Sequence, residues 1–179
     1  VIRAAFLALA LLAAGCASVP ENAPRTVERV DLQRYAGTWY EIARYPVRFQ
    51  DGPNLRCEDV TATYALRPDG QVSVRNFCRN GLAEGRPPRE ANGTAYVVEG
   101  SGNARLRVTF FWPFYGDYWV LGLDPEYRWA VVGAPGRDYL WVLSRTPSLS
   151  EEDYARAAAI ASREGFEPAR LQRTRQGGG

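Results

Sequence analysis

Between Gly37 and Ser144 apolar and polar residues alternate in short runs, and the runs are separated by turn-forming residues. Val60, Ala62, Tyr64 and Leu66 share one face of one run. Val72 and Val74 oppose Ser73 and Arg75 in the next, and Leu106, Val108 and Phe110 oppose Arg105, Arg107 and Thr109 in another. A period of two marks a strand with one packed face and one wet face. The pattern predicts eight strands, over residues 37–45, 57–66, 71–78, 93–100, 104–111, 117–124, 128–134 and 138–144. Their connections, among them Pro68-Asp69-Gly70 and Pro135-Gly136-Arg137, are the short polar kind that joins antiparallel neighbours. An open meander of this size would expose two unpaired edges, and closure removes both. The expected fold is therefore all-β, an eight-stranded antiparallel up-and-down barrel.

After Ser144 the period changes. Residues 147–165 begin with Ser148 or Ser150 as a cap, carry Glu151, Glu152 and Asp153 in the first turn, and end at Gly165, so they predict one C-terminal α-helix. Its stripe of Tyr154, Ala157, Ala158 and Ala161 suits close packing against the outside of the barrel. Residues 166–175 can return as one more strand, and residues 175–179 are expected to be a disordered tail.

The start of the chain has a different character. Arg3 precedes an apolar run from Ala4 to Ala14, too short to span a bilayer, which reads as a secretory signal. The small residues leading to Cys16 resemble the lipobox of bacterial lipoproteins. That resemblance implies removal of residues 1–15 and acylation of Cys16; an ordinary signal peptide with an incidental cysteine is the alternative. Residues 16–30 then form the lipidated cysteine and a flexible tether rich in Pro, Asn and charge, and residues 31–174 form the barrel domain.

Composition narrows the chemistry. A chain of 179 residues has room for one sizeable core. Its net charge of +2 is scattered, without the basic stripe of a nucleic-acid groove. There is no histidine, which removes the commonest general base and metal ligand, and no cofactor or metal is expected. Cys57 and Cys78 stand at the start of one strand and the end of its hairpin partner, so a disulfide is expected, its register offset absorbed by a bulge. Two buried free thiols are the alternative.

Strand parity from an inward Trp39 gives an interior lined by Glu41, Ala43, Val60, Ala62, Tyr64, Val72, Val74, Asn76, Leu106, Val108, Phe110, Tyr118, Val120, Gly122, Tyr139 and Trp141. Of these, Ala43, Val60, Ala62, Tyr64, Val74, Val108, Phe110, Tyr118, Val120, Tyr139 and Trp141 are the candidate ligand contacts, with small residues favouring an open cup. A packed core is the alternative. Tyr64, Tyr118 and Tyr139 either present hydroxyls to a head group near the mouth or are core aromatics. Glu41 needs a partner if it points inward; it sits near the floor in a hydrogen bond, or a bulge turns it out.

The Gly37-Thr38-Trp39 motif at the first strand is shared by three barrel families, the lipocalins, the avidins and the intracellular fatty-acid-binding proteins. The last strand is followed by a helix, unlike in avidins, and residues 46–56 leave no room for the two helices of the fatty-acid-binding proteins. Leu143-Ser144-Arg145-Thr146-Pro147 resembles the lipocalin signature in which the arginine stacks on the tryptophan, here Arg145 on Trp39 with Gly37 as the tight entry. GTWYEIARYP, RVTFFWPFYGDYWVLGLD and RDYLWVLSRTP are similar to the bacterial outer-membrane lipoprotein lipocalins, relatives of apolipoprotein D. The resemblance implies binding, storage or transport of fatty acids, lysophospholipids or similar single-tailed amphiphiles at the outer membrane, with Cys16 as the membrane anchor and no catalysis. A lipocalin-type enzyme relying on Glu41 or the tyrosines, and an envelope-stress structural lipoprotein, are the alternatives. The aromatic run FFWPFYG, with Phe111, Trp112, Phe114 and Tyr115, is expected to contact the membrane interface, line the mouth, cap one end as a small core, or form a homodimer through residues 111–115.

Overall fold

The computed structural model describes residues 22–83, 85 and 87–177. The expected secretory signal and Cys16 lie outside the described residues. Asp31 caps a single helical turn, α1 (Leu32–Tyr35), its carboxylate accepting from the Gln33 and Arg34 amides. The strands follow as β1 (Gly37–Arg44), a two-residue β2 (Asp51–Gly52), β3 (Leu55–Leu66), β4 (Val72–Asn80), β5 (Arg89–Val97), β6 (Arg105–Phe111), β7 (Phe114–Leu123), β8 (Trp129–Gly133) and β9 (Leu140–Ser144). Helix α2 (Glu151–Arg163) and a two-residue β10 (Gln172–Arg173) complete the order. Antiparallel pairing runs from β3 through β9 to β1, and β1 pairs back onto β3, so the eight long strands close on themselves as the alternation requires.

The aromatic run between β6 and β7 is not a loop. Phe111 pairs with Phe114 across a two-residue turn at Trp112 and a cis-Pro113, so β7 starts earlier than its alternation indicates. The disulfide forms between Cys57 and Cys78, with Cα atoms 5.3 Å apart. Cys57 lies opposite Asn80, and the offset is accompanied by an irregularity between Glu58 and Thr61, where Asp59 adopts a positive φ of 50°.

Helix α2 is capped by Ser150, which accepts from the Asp153 amide, and buries Ala157 and Ala161 against the wall. Two bulges fit the wall to this helix. Register shifts between Glu41 and Ala43 in β1, and between Val120 and Gly122 in β7. At each, two consecutive residues turn outward: Ile42 with Ala43, and Leu121 with Gly122. Ala43 and Gly122 are therefore not cup residues, contrary to simple parity. Ala43 is fully buried in the cluster under α2, and a Cβ on Gly122 would come within 2.8 Å of Ile160 on that helix.

Both expected flexible segments are fastened down where they are described. Residues 22–30 form a strap along the barrel: the Asn22 carbonyl accepts from Arg137 at 2.7 Å and the Arg25 amide donates to Glu164 at 2.8 Å. Further on, the Val27 amide donates to the Val120 carbonyl and the Val30 amide to the Gly102 carbonyl. The segment after β10 is not a free tail through residue 177. The side-chain Nε2 of Gln176 donates to the carbonyls of Glu41 and Val60, both at 2.8 Å, and Asp59 accepts from the Gly177 backbone amide. Gln176 thereby bridges β1 and β3 above the short stretch, Gly37 to Tyr40 against Thr61 to Tyr64, where those strands pair directly.

Candidate functional site

One end of the barrel is shut from below by α1 and by the entry to β1. Trp39 is completely buried, and its indole N–H donates to the Tyr35 carbonyl at 2.8 Å. The Arg145 guanidinium lies 3.8 Å from the centre of the Trp39 ring and also donates to the carbonyls of Arg34, Thr38 and Tyr127. Gly37 enters at a φ of 94°, and a Cβ there would stand 3.3 Å from the Arg145 side chain. The expected stacking is thus present, and three backbone acceptors fix its geometry.

Above this floor lies a cavity of about 730 Å³, within the range of sites that enclose a small ligand. Val60, Ala62, Tyr64, Val74, Val108 and Phe110 line it as parity predicts. Tyr118, Val120, Tyr139 and Trp141 line it as well, so of the candidate contacts only Ala43 is displaced. The mouth is formed by the described residues of the connections 45–54, 81–88, 112–113 and 134–139, at the ends of the strands opposite α1.

The tyrosines divide by depth. Tyr118 stands between Tyr35 and Tyr64, its hydroxyl 2.8 Å from the first and 3.0 Å from the second. Burial pushes the Tyr64 hydroxyl up to about 12 and raises Tyr35 and Tyr118 as well. All three stay protonated at neutral pH and satisfy one another, so the deep end presents an uncharged aromatic surface. Tyr139 instead belongs to the mouth, stacked on Trp141 with ring centres 5.7 Å apart and close to Phe49.

Glu41 points inward, and the β1 bulge supplies its partner. Because Ile42 and Ala43 both turn out, Arg44 returns to the inner side and donates to Glu41 at 2.7 Å. Thr174 and Gln50 donate to the same carboxylate at 2.6 and 2.7 Å. Arg44 also binds Asp51 through two nitrogens and the Cys57 carbonyl through a third contact. Burial acts most strongly on Arg44 and favours its neutral form, but Asp51 and Glu41 outweigh it and raise the pKa. The cluster ties β1, the loop before β3 and the segment after β10 into one wall, and Trp141 donates to Gln50 to join the mouth to it.

Sequence reasoning missed Arg44, Gln50, Phe49 and Thr174. Parity placed Arg44 outside, and a bulge leaves no mark in an alternating run. The other three lie in irregular segments without a period. Tyr35 had a readable signal, since Asp31 two residues before Gln33 is an N-cap pattern.

A closed barrel with a shut floor, an outer helix and a large apolar cup is the architecture of the lipocalins, and residues 30–176 match the lipocalin-like domain. The chain belongs to that family. It is 46% identical over 163 residues to the outer membrane lipoprotein Blc of Escherichia coli K12, covering 88% of this chain and 86% of that one. Bovine apolipoprotein D is more distant, at 32% identity over 72% of this chain and 68% of its own. Among solved structures, insecticyanin from the tobacco hornworm superposes with a TM-score of 0.69 over 90% of this chain and 87% of that chain, at 17% identity, a likeness of fold. No helix among the described residues is long and apolar enough to cross a membrane.

Proposed function

We propose that the chain binds and carries single-tailed lipids, fatty acids or lysophospholipids, at the bacterial outer membrane, where acylated Cys16 anchors it. The observation that carries this reading is the cup itself: about 730 Å³, apolar along its walls, shut at one end and open at the other. An acyl tail fits against the uncharged aromatic floor, and a polar head group remains near Gln50, Tyr139 and Trp141 at the mouth. The outer membrane lipoproteins among the relatives support the location. Binding is favoured over catalysis because Glu41, the buried acid of the wall, already accepts from three donors, and the deep tyrosines are held protonated. A carboxylate occupied in this way is a poor general base.

The test is titration of the Cys16→Ser protein with a fluorescent fatty acid and with a lysophospholipid, beside variants that fill the cup. Val120→Trp and Ala62→Trp place an indole in the cavity and should each weaken binding on the order of tenfold or more, about 1.4 kcal/mol. Unchanged affinity in both folded variants would put the ligand outside the barrel.

A further inference from the structure

The strap and the rim together fix how the barrel meets a membrane. Of the ten large apolar side chains exposed among the described residues, only Leu66 and Tyr96 lie away from the open end. Phe49, Leu82 and Tyr139 come from three of the mouth connections, and the β6–β7 turn carries Phe111, Trp112 and Phe114, exposed by 74%, 76% and 69%. Solitary exposed apolar residues need no explanation, but a ring of them around one opening marks a contact surface. Aromatic rings are also the side chains that partition best into the headgroup zone of a bilayer.

The strap identifies the occupant of that surface. Arg137 sits in the β8–β9 connection at the mouth, and it holds the carbonyl of Asn22, so Asn22 lies at the open end and the described chain runs from there toward the floor. Asn22 is only six positions along the chain from Cys16, a reach of about 20 Å when fully extended. Strand β7 has ten residues, which at the usual rise and tilt makes a barrel about 25 Å tall. A chain anchored at Cys16 brings the mouth to the bilayer easily, and is too short to let the floor reach it.

We infer that the open end docks on the phospholipid bilayer, with Phe111, Trp112 and Phe114 seated in the headgroup zone and the Arg137–Asn22 clamp setting the direction. The inference rests on the proposed lipidation of Cys16. It makes exchange of lipid between cup and membrane a transfer through the rim, with no passage of the acyl tail through water.

The experiment uses the mature lipidated protein in vesicles of phosphatidylethanolamine and phosphatidylglycerol whose acyl chains carry bromine, a short-range quencher of tryptophan. Emission removed by Trp112→Phe isolates the rim, and the indole added by Glu126→Trp reports the closed end. Quenching of the Trp112 component, with the added closed-end indole unquenched, is the expected result. Phe111→Ser combined with Phe114→Ser should reduce that quenching several-fold while fatty-acid affinity is unchanged. Quenching at the closed end, or at neither end, in protein that floats with the vesicles overturns the inference. Trp112 shielded from acrylamide but not quenched by bromine, with a doubled particle mass, assigns the rim to a second copy and also overturns it. Failure of lipidation reads differently: the protein does not float, and its mass lacks the acyl groups.

Discussion

At the closed end Trp39, Tyr35 and Tyr64 are buried, and their polar atoms meet a backbone carbonyl or the Tyr118 hydroxyl; at the open end Phe111, Trp112 and Phe114 stand in solvent. Both regions are aromatic. The difference lies in what the chain lays across them. Helix α1 and Arg145 cover the floor and supply acceptors and a cation, whereas among the described residues no helix or strand covers the two-residue turn between β6 and β7. Aromatic content therefore does not separate stability from contact; coverage does. Toward the open end, the Glu41–Arg44–Asp51 cluster ties the seam together.

Four variants test that division. Removing Arg44 should be the most damaging. Arg44→Leu leaves Glu41 and Asp51 as uncompensated carboxylates, and breaking a buried pair in this way costs about 3–5 kcal/mol, readable as a fall in the urea midpoint. A loss no larger than that of a surface substitution would mean the cluster is hydrated and does not hold the seam. Arg145→Ala should cost about 2–3 kcal/mol through the lost cation–π contact and the carbonyl bonds it makes, with ligand affinity per folded molecule unchanged. If instead stability holds and binding fails, the floor residue is a ligand contact.

A smaller effect is expected from Asp124, in the turn before β8 at the closed end. Its bonds to the Arg128 side chain, the largest influence on it, hold the carboxyl below the usual aspartate range. A group whose pKa is lower when folded stabilises at pH values above the unfolded aspartate value and loses that contribution as pH falls toward the folded one. Asp124→Asn should thus cost about 1 kcal/mol near neutrality, and its melting temperature should fall less than the parent's on acidification. Equal acid sensitivity would remove Asp124 from the account. At the opposite extreme, Phe111→Ser with Phe114→Ser should change stability within about 0.5 kcal/mol. A large loss would show that the rim is a small core after all.

The period-two runs located all eight barrel strands, and Gly37, Trp39 and Arg145 together located the floor, because these features repeat in a fixed geometry. The hairpin spacing likewise brought Cys57 and Cys78 together. What escaped the sequence is where that geometry is broken. Ala43 and Gly122 looked like spacers inside the cup and are instead the points where the wall accommodates Ile160 and its helix. One inserted residue reverses the parity of everything after it, and Arg44 changed sides for that reason. The strap from Asn22 to Val30 has no period to read, since its bonds are made one at a time by backbone groups along the barrel.

Gln176 has a consequence for the order in which the molecule is made. It joins Glu41 on β1 to Val60 on β3, and it lies 135 residues along the chain from the first of these. Both strands leave the ribosome early and wait, while the residue that stitches them emerges late. Contacts so distant in sequence are slow to form. The direct pairing of Gly37 to Tyr40 with Thr61 to Tyr64 needs none of this, so the Gln176 stitch is expected to form only after those strands have met.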